Sequence, residues 1–95
     1  MNGKQRRYLR SLAHHLDPIV MVGQQGITEA VLLQVDRSLT DHELIKVKLR
    51  KECPVERNEA AEAIATRTAC EVAGIVGGVL ILYRPRQDEP RIRLP

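Results

Sequence analysis

Two glycines separated by two glutamines, Gly23-Gln24-Gln25-Gly26, stand where an apolar run, Ile19-Val20-Met21-Val22, gives way to Ile27-Thr28-Glu29. A β-branched and apolar run that stops at glycine reads as the end of a strand, and threonine followed by glutamate reads as the start of a helix. The loop therefore joins strand to helix. Glycine adopts positive φ and has no Cβ to hold a ligand away, and the unpaired N–H groups of a helix's first turn face the same space. That combination suits a phosphate or a sugar-phosphate backbone. The competing reading is that a bare GxxG makes only a tight connection, and the rest of the chain has to separate the two.

Other chemistry finds little support. The sequence holds no Ser-His-Asp arrangement, Walker motif, HExxH or paired-carboxylate site, so no catalytic residue is assigned and an enzyme is not expected. Cys53 and Cys70 form no CxxC and read as free, packed thiols. His14, His15 and His42 lack metal-ligand spacing with any Cys, Asp or Glu cluster, so neither metal nor cofactor is expected. Tyr8 and Tyr83 are the only aromatic residues among 95, which requires an aliphatic core and leaves no set of exposed rings on which RNA bases would stack. A chain of this length makes one domain.

Net charge is a modest +3, but its sign alternates by segment. Lys4, Arg6, Arg7 and Arg10 open the chain without an acid, Asp17 to Glu43 is mainly acidic, and Lys46, Lys48, Arg50 and Lys51 follow. A second acidic stretch from Glu52 to Glu71 precedes Arg84, Arg86, Arg91 and Arg93. If the basic segments meet in the fold, one side faces a polyanion and the back is acidic; the alternative is a set of unrelated solvated faces.

The elements that must position these residues follow from periodicity. Residues 4–16 place Leu9, Leu12, Ala13 and Leu16 on one helical stripe, stopped by Asp17-Pro18. An Arg-rich amphipathic N-terminus also fits a transit segment, but this one runs straight into the first strand and is read as part of the fold. A second helix has Thr28 as its N-cap, Ile27 and Leu32 as a hydrophobic staple, and Val31, Leu32, Val35 and Leu39 as its buried stripe. Residues 43–50 alternate, with Ile45, Val47 and Leu49 on one face and Lys46, Lys48 and Arg50 on the other. That pattern fits either a basic strip or a solvated strand edge. A third helix is expected from near Pro54 to about Cys70. Residues 72–76 and 79–83 flank Gly77-Gly78 as a hairpin. The runs 19–22 and 79–82 do not alternate, which predicts strands covered on both faces. A βα crossover makes the first two strands parallel and the hairpin makes the last two antiparallel.

The expected fold is thus α/β of the mixed α+β kind, α-β-α-β-α-β-β around a four-stranded mixed sheet. Residues 1–86 form a single domain and residues 87–95 a short C-terminal tail on which Ile92 and Leu94 could dock. No segment reads as a signal peptide or a membrane span. The expectation is a cytoplasmic monomer without small-molecule substrate.

Several blocks resemble the YhbY-type CRM domain, the chloroplast RNA splicing and ribosome maturation module. They are Leu12-Ala13-His14, Pro18-Ile19-Val20-Met21-Val22-Gly23, Gly26-Ile27-Thr28-Glu29, His42-Glu43-Leu44-Ile45-Lys46-Val47-Lys48 and Leu82-Tyr83-Arg84-Pro85. The resemblance spans nearly the whole chain, and the block at 42–48 is far more specific than the glycines. It implies a fold similar to the C-terminal domain of translation initiation factor three, RNA binding, and, for stand-alone bacterial members, association with the precursor of the large ribosomal subunit. One copy of the module is similar to the bacterial type. Many family members carry lysine after the first loop glycine, and here that position is Gln24, which removes a phosphate-pairing charge from the tip. KH domains also have a GxxG loop, but between two helices, so that likeness is analogy only.

Two function classes follow. The first is an RNA-binding assembly factor that contacts ribosomal RNA through Gly23, Gln24, Gln25 and Gly26, the strand cations Lys46, Lys48 and Arg50, then Arg6, Arg7 and Arg10, and more weakly Arg84. The second is a small protein-protein adaptor without direct RNA contact.

Overall fold

The computed structural model describes residues Met1–Pro95. In chain order the elements are α1 (Gly3–Ala13), β1 (Val20–Val22), α2 (Glu29–His42), β2 (Leu44–Leu49), α3 (Arg57–Thr68), β3 (Glu71–Val76) and β4 (Val79–Tyr83). The strands form one sheet in the order β1-β2-β4-β3, with β1 parallel to β2 and the other pairs antiparallel. This is the mixed sheet with three helices that the sequence patterns predict. No helix is long and apolar enough to cross a membrane.

Because side chains alternate along a strand, each face of the sheet collects a different set. Val20, Val22, Ile45, Val47, Leu80 and Leu82 point to one face, where Leu32, Val35 and Leu39 of α2 and Ala60, Ala61 and Ile64 of α3 close over them. On the opposite face Leu9 and Ala13 of α1 cover Leu44, Ala73, Ile81 and Tyr83. Two helices lie on one face and a single helix on the other.

That imbalance corrects the reading of β1. Its residues alternate buried, exposed, buried, because β1 is an edge strand that α1 does not reach, so Ile19 and Met21 stay exposed. The central β4 is the strand covered on both faces. Strand β2 is also interior, flanked by β1 and β4, so its lysines are not an edge device. Helix α1 ends at Ala13 rather than residue 16, leaving Leu12 and Leu16 partly exposed. Helix α3 begins at Arg57, not near Pro54: the Glu56 carboxylate accepts from the backbone N–H groups of Asn58 (2.8 Å) and Glu59 (3.2 Å), making Glu56 the N-cap. Pro54 and Val55 instead lie under Gly26, at 3.5 and 3.6 Å from where a Cβ would stand.

Two arginines hold the layers together. Arg84 at the end of β4 donates to Asp36 Oδ1 (2.7 Å), Asp36 O (2.9 Å), Thr40 Oγ1 (2.9 Å) and Thr68 O (2.7 Å), joining α2 to the end of α3. Arg10 lies across β3, where the register shifts between Val72 and Gly74, and its guanidinium donates to Ala73 O at 3.1 Å. Helix α2 turns into β2 through one residue, Glu43, at φ +63. The Glu43 side chain is buried and accepts from the Arg91 N–H (2.6 Å), while Ile92 and Leu94 pack against the α1 layer.

The stem of Arg10 requires the absence of a side chain at Gly74, since a Cβ there would stand 2.6 Å from Arg10 Cδ. Gly74→Val is therefore expected to lower stability by about 1–3 kcal/mol, the usual cost of overpacking. The loss should shrink when Arg10 is already Ala. A double-mutant cycle from urea melts measures this coupling, and strict additivity would contradict it.

Candidate nucleic-acid interface

The loop after β1 is closed by a bond from Gly26 N–H to Gly23 O (3.0 Å), with Gln24 and Gln25 at the exposed corners. Thr28 N–H then donates to Gly26 O (3.1 Å), and Thr28 Oγ1 accepts from Val31 N–H (3.1 Å), starting α2. Leu32 is in the core and Ile27 packs against it, as the staple predicts. The two glycines have different reasons. Gly26 is buried at φ +72, a conformation that L side chains rarely adopt, whereas Gly23 has no positive φ and a Cβ there would meet only Glu52 Oε1, at 4.0 Å. The fold thus demands the second glycine and not the first. The backbone N–H groups of Gln24, Gln25 and Ile27 donate to no group within the protein.

A second loop lies beside it. Arg50 N–H donates to Val22 O (2.8 Å), one residue before Gly23, and Cys53 N–H donates to Arg50 O (3.0 Å), leaving Lys51 and Glu52 at the tip. The hairpin turn joins the same end of the sheet, with Gly78 O accepting from Leu49 N–H (2.7 Å) and Gly77 O from the Arg57 guanidinium (3.1 Å). Two helix N-termini also open here, and they are not equivalent. That of α3 is already occupied by the Glu56 carboxylate, which the Asn58 backbone N–H holds below the ordinary carboxylate range. That of α2 is capped by a neutral hydroxyl, and its Glu29 turns to Arg67 at 2.8 Å. An incoming anion is therefore favoured at α2 and repelled at α3.

Of the residues that sequence reasoning singled out, the structure brings Gly23, Gln24, Gln25, Gly26, Lys48 and Arg50 to this one end, with Lys48 paired to Met21 in the register and exposed. Lys46 is half-buried, and its Nζ donates to Leu16 O (2.9 Å), tying down the α1–β1 connection. Arg10 and Arg84 are engaged in the fold. Arg6 lines a groove with Glu62 and Glu71 at the β3 edge, across the sheet from β1, and Arg7 is exposed on α1. Lys51 also stands at this end, at the tip of the second loop; it follows directly on Arg50, where the alternation stops, so the strand pattern assigns it to no face. The basic close of the chain does not join the site either, since Arg86 donates to Thr40 O (3.1 Å) and Asp41 O (3.3 Å) at the end of α2.

Cys53 and Cys70 are free and pack against the larger core, and burial pushes the Cys70 thiol up from its ordinary value. No three His, Cys, Asp or Glu side chains are grouped to hold a metal ion.

Comparison with known proteins gives a consistent picture. The model of the CRS1 / YhbY (CRM) domain matches residues 1–84. A probable RNA-binding protein of Bacillus subtilis is 36% identical over 95 residues, covering 100% of this chain and 99% of that protein. An RNA-binding protein of Haemophilus influenzae is 40% identical, covering 100% of this chain and 95% of that one. The solution structure of a Staphylococcus aureus protein matches with a TM-score of 0.86 at 39% identity, covering 100% of this chain and 99% of the other.

The unequal glycines make a direct test of the loop's geometry. Gly26→Ala is expected to cost about 1–2 kcal/mol, the price of a left-handed conformation for an L residue. Gly23→Ala should melt with the parent. Thermal unfolding of the two variants checks this, and equal melting would contradict it.

Proposed function

The chain belongs to the CRS1 / YhbY (CRM) domain family, and from that premise we propose that it binds RNA and assists maturation of the large ribosomal subunit by holding precursor ribosomal RNA through the RNA backbone. The observation that carries this reading is the convergence at one end of the sheet. Unpaired N–H groups of the Gly23–Gly26 loop, the open N-terminus of α2 and the side chains of Lys48, Arg50 and Lys51 all stand around the hydrogen bond from Arg50 to Val22. Gly23 adds to it, because a glycine that the fold does not require leaves its backbone covered by nothing but the end of the long Glu52 side chain, which an approaching phosphate would displace.

Each part has a distinct role. Backbone N–H groups and the amides of Gln24 and Gln25 donate to phosphate oxygens, while Lys48, Arg50 and Lys51 supply the long-range attraction. These contacts position RNA without reading its sequence, so selectivity for ribosomal RNA has to come from the shape of a structured target. Catalysis, a cofactor and a small-molecule substrate have no part in the proposal, and the protein acts in the cytoplasm as a monomer.

Binding should weaken steeply with salt, because each phosphate neutralised on a single strand contributes a slope of about −0.7 in log affinity against log salt. Lys48→Gln with Arg50→Gln should reduce that slope by about 1 to 2 and leave the melting temperature near the parent's. Gln24→Asp with Gln25→Asp should bind RNA worse, and Gln24→Lys better, at fixed low salt. Gel shifts with ribosomal RNA against tRNA and duplex DNA, and sedimentation of tagged protein with ribosomal particles, are the measurements. If the parent ignores RNA but travels with the particles, it is a protein-protein adaptor instead.

A further inference from the structure

The pairing register arranges the sheet's second face into rows that cross the strands. Furthest from the loop end, Leu44 and Tyr83 lie beneath Leu9 and Ala13 of α1. The next row, Lys46, Ile81 and Gly74, is crossed by the stem of Arg10. The last row, nearest the loop, is Met21, Lys48, Val79 and Val76, one residue from each of the four strands. Helix α1 ends short of it. Met21 is 43% exposed and Val76 61%, and Lys48 stands exposed between Met21 and the half-buried Val79.

A groove of about 610 Å³ runs alongside, floored by Val76, Val79 and Ile81 and walled by Arg10, His14 and Leu16. Asp17 is the only acid that lines it. This face is therefore apolar and cationic at once, and it is continuous with the loop end through Met21, which precedes Val22 and Gly23 in β1.

The occupant must match both properties. A duplex presents phosphates and hides the faces of its bases, so it would leave the apolar row in water; an unpaired strand offers phosphates and base faces together. We infer that this sheet face seats unpaired nucleotides of the RNA whose backbone is held at the Gly23–Gly26 loop, with bases against Met21, Val79 and Val76 and phosphates toward Lys48 and Arg50. This rests on the RNA reading above and deepens it. The scarcity of rings in the sequence argues against an aromatic platform, but the fold builds an aliphatic one, in which a polarisable thioether and two valines supply contact area instead of ring stacking.

The test uses the intact chain with a short single-stranded RNA and a blunt RNA duplex of the same length. Met21→Thr with Val76→Thr keeps β-propensity at Val76 and adds it at Met21, while making the row polar. It should weaken single-strand binding roughly five- to tenfold, the lower end of what losing one base-stacking contact costs. Duplex affinity and the salt slope should stay at the parent's values, because no charge is removed. Met21→Leu with Val76→Ile keeps the apolar area and should bind like the parent, which separates lost contact from a disturbed fold. Single-strand binding that survives the Thr pair, or a loss of equal size on both RNAs, would overturn the inference while leaving the RNA-binding reading in place. A parent that binds neither RNA would overturn both.

Discussion

Three residue pairs of parallel pairing, Val20 with Val47, Met21 with Lys48 and Val22 with Leu49, hold the site together. Parallel strands end on the same side, so the loop after β1 and the loop after β2 must emerge next to each other. The glycine loop receives cations from a segment more than twenty residues away for this reason alone. The Arg50–Val22 hydrogen bond extends the pairing by one step, and Pro54 and Val55 come back beneath Gly26 to brace the loop from below. A strand of three residues is short, and its two buried valines under α2 fix its register.

Charge is divided by a similar geometric logic. The acids of α2 and α3 lie on the face away from α1, and two of them, Glu29 and Asp36, are tied to Arg67 and Arg84. Of the two pairs, the exposed Glu29–Arg67 contact contributes little to stability, whereas Arg84 also bridges α2 and the end of α3. Both withdraw an arginine from the surface, so that the unpaired cations near the loop stand out. Glu52 and Glu56 remain close by and set a limit: an anion is admitted over α2 and turned away from α3.

Much of this was legible in the sequence because local chemistry agreed with the final packing. Thr28, Ile27 and Leu32 specify the start of α2 whatever surrounds them, and the alternation from Leu44 to Leu49 specifies both faces of β2. Edge positions were less legible. The run Ile19-Val20-Met21-Val22 is uniformly apolar whether a strand is covered once or twice, and only the length of α1 decides that Met21 faces outward. The roles of Arg10 and Arg84 were equally hidden, since an arginine that anchors a fold and one that meets a phosphate look alike until the carbonyls and carboxylates around them are in place. Glu56 as a helix cap was masked by the nearby Pro54, the more familiar start signal.

The central claim is that RNA meets this protein at the loop end of the sheet. Titrating isotope-labelled protein with a short ribosomal RNA fragment at low salt, and following backbone amide shifts, tests it most directly. The amides of Gln24, Gln25, Ile27, Lys48 and Arg50 should move first and furthest, while those of Leu33 and Glu62 on the helical face stay still. Shifts concentrated on the α2–α3 face, with the Gly23–Gly26 loop silent, would contradict it.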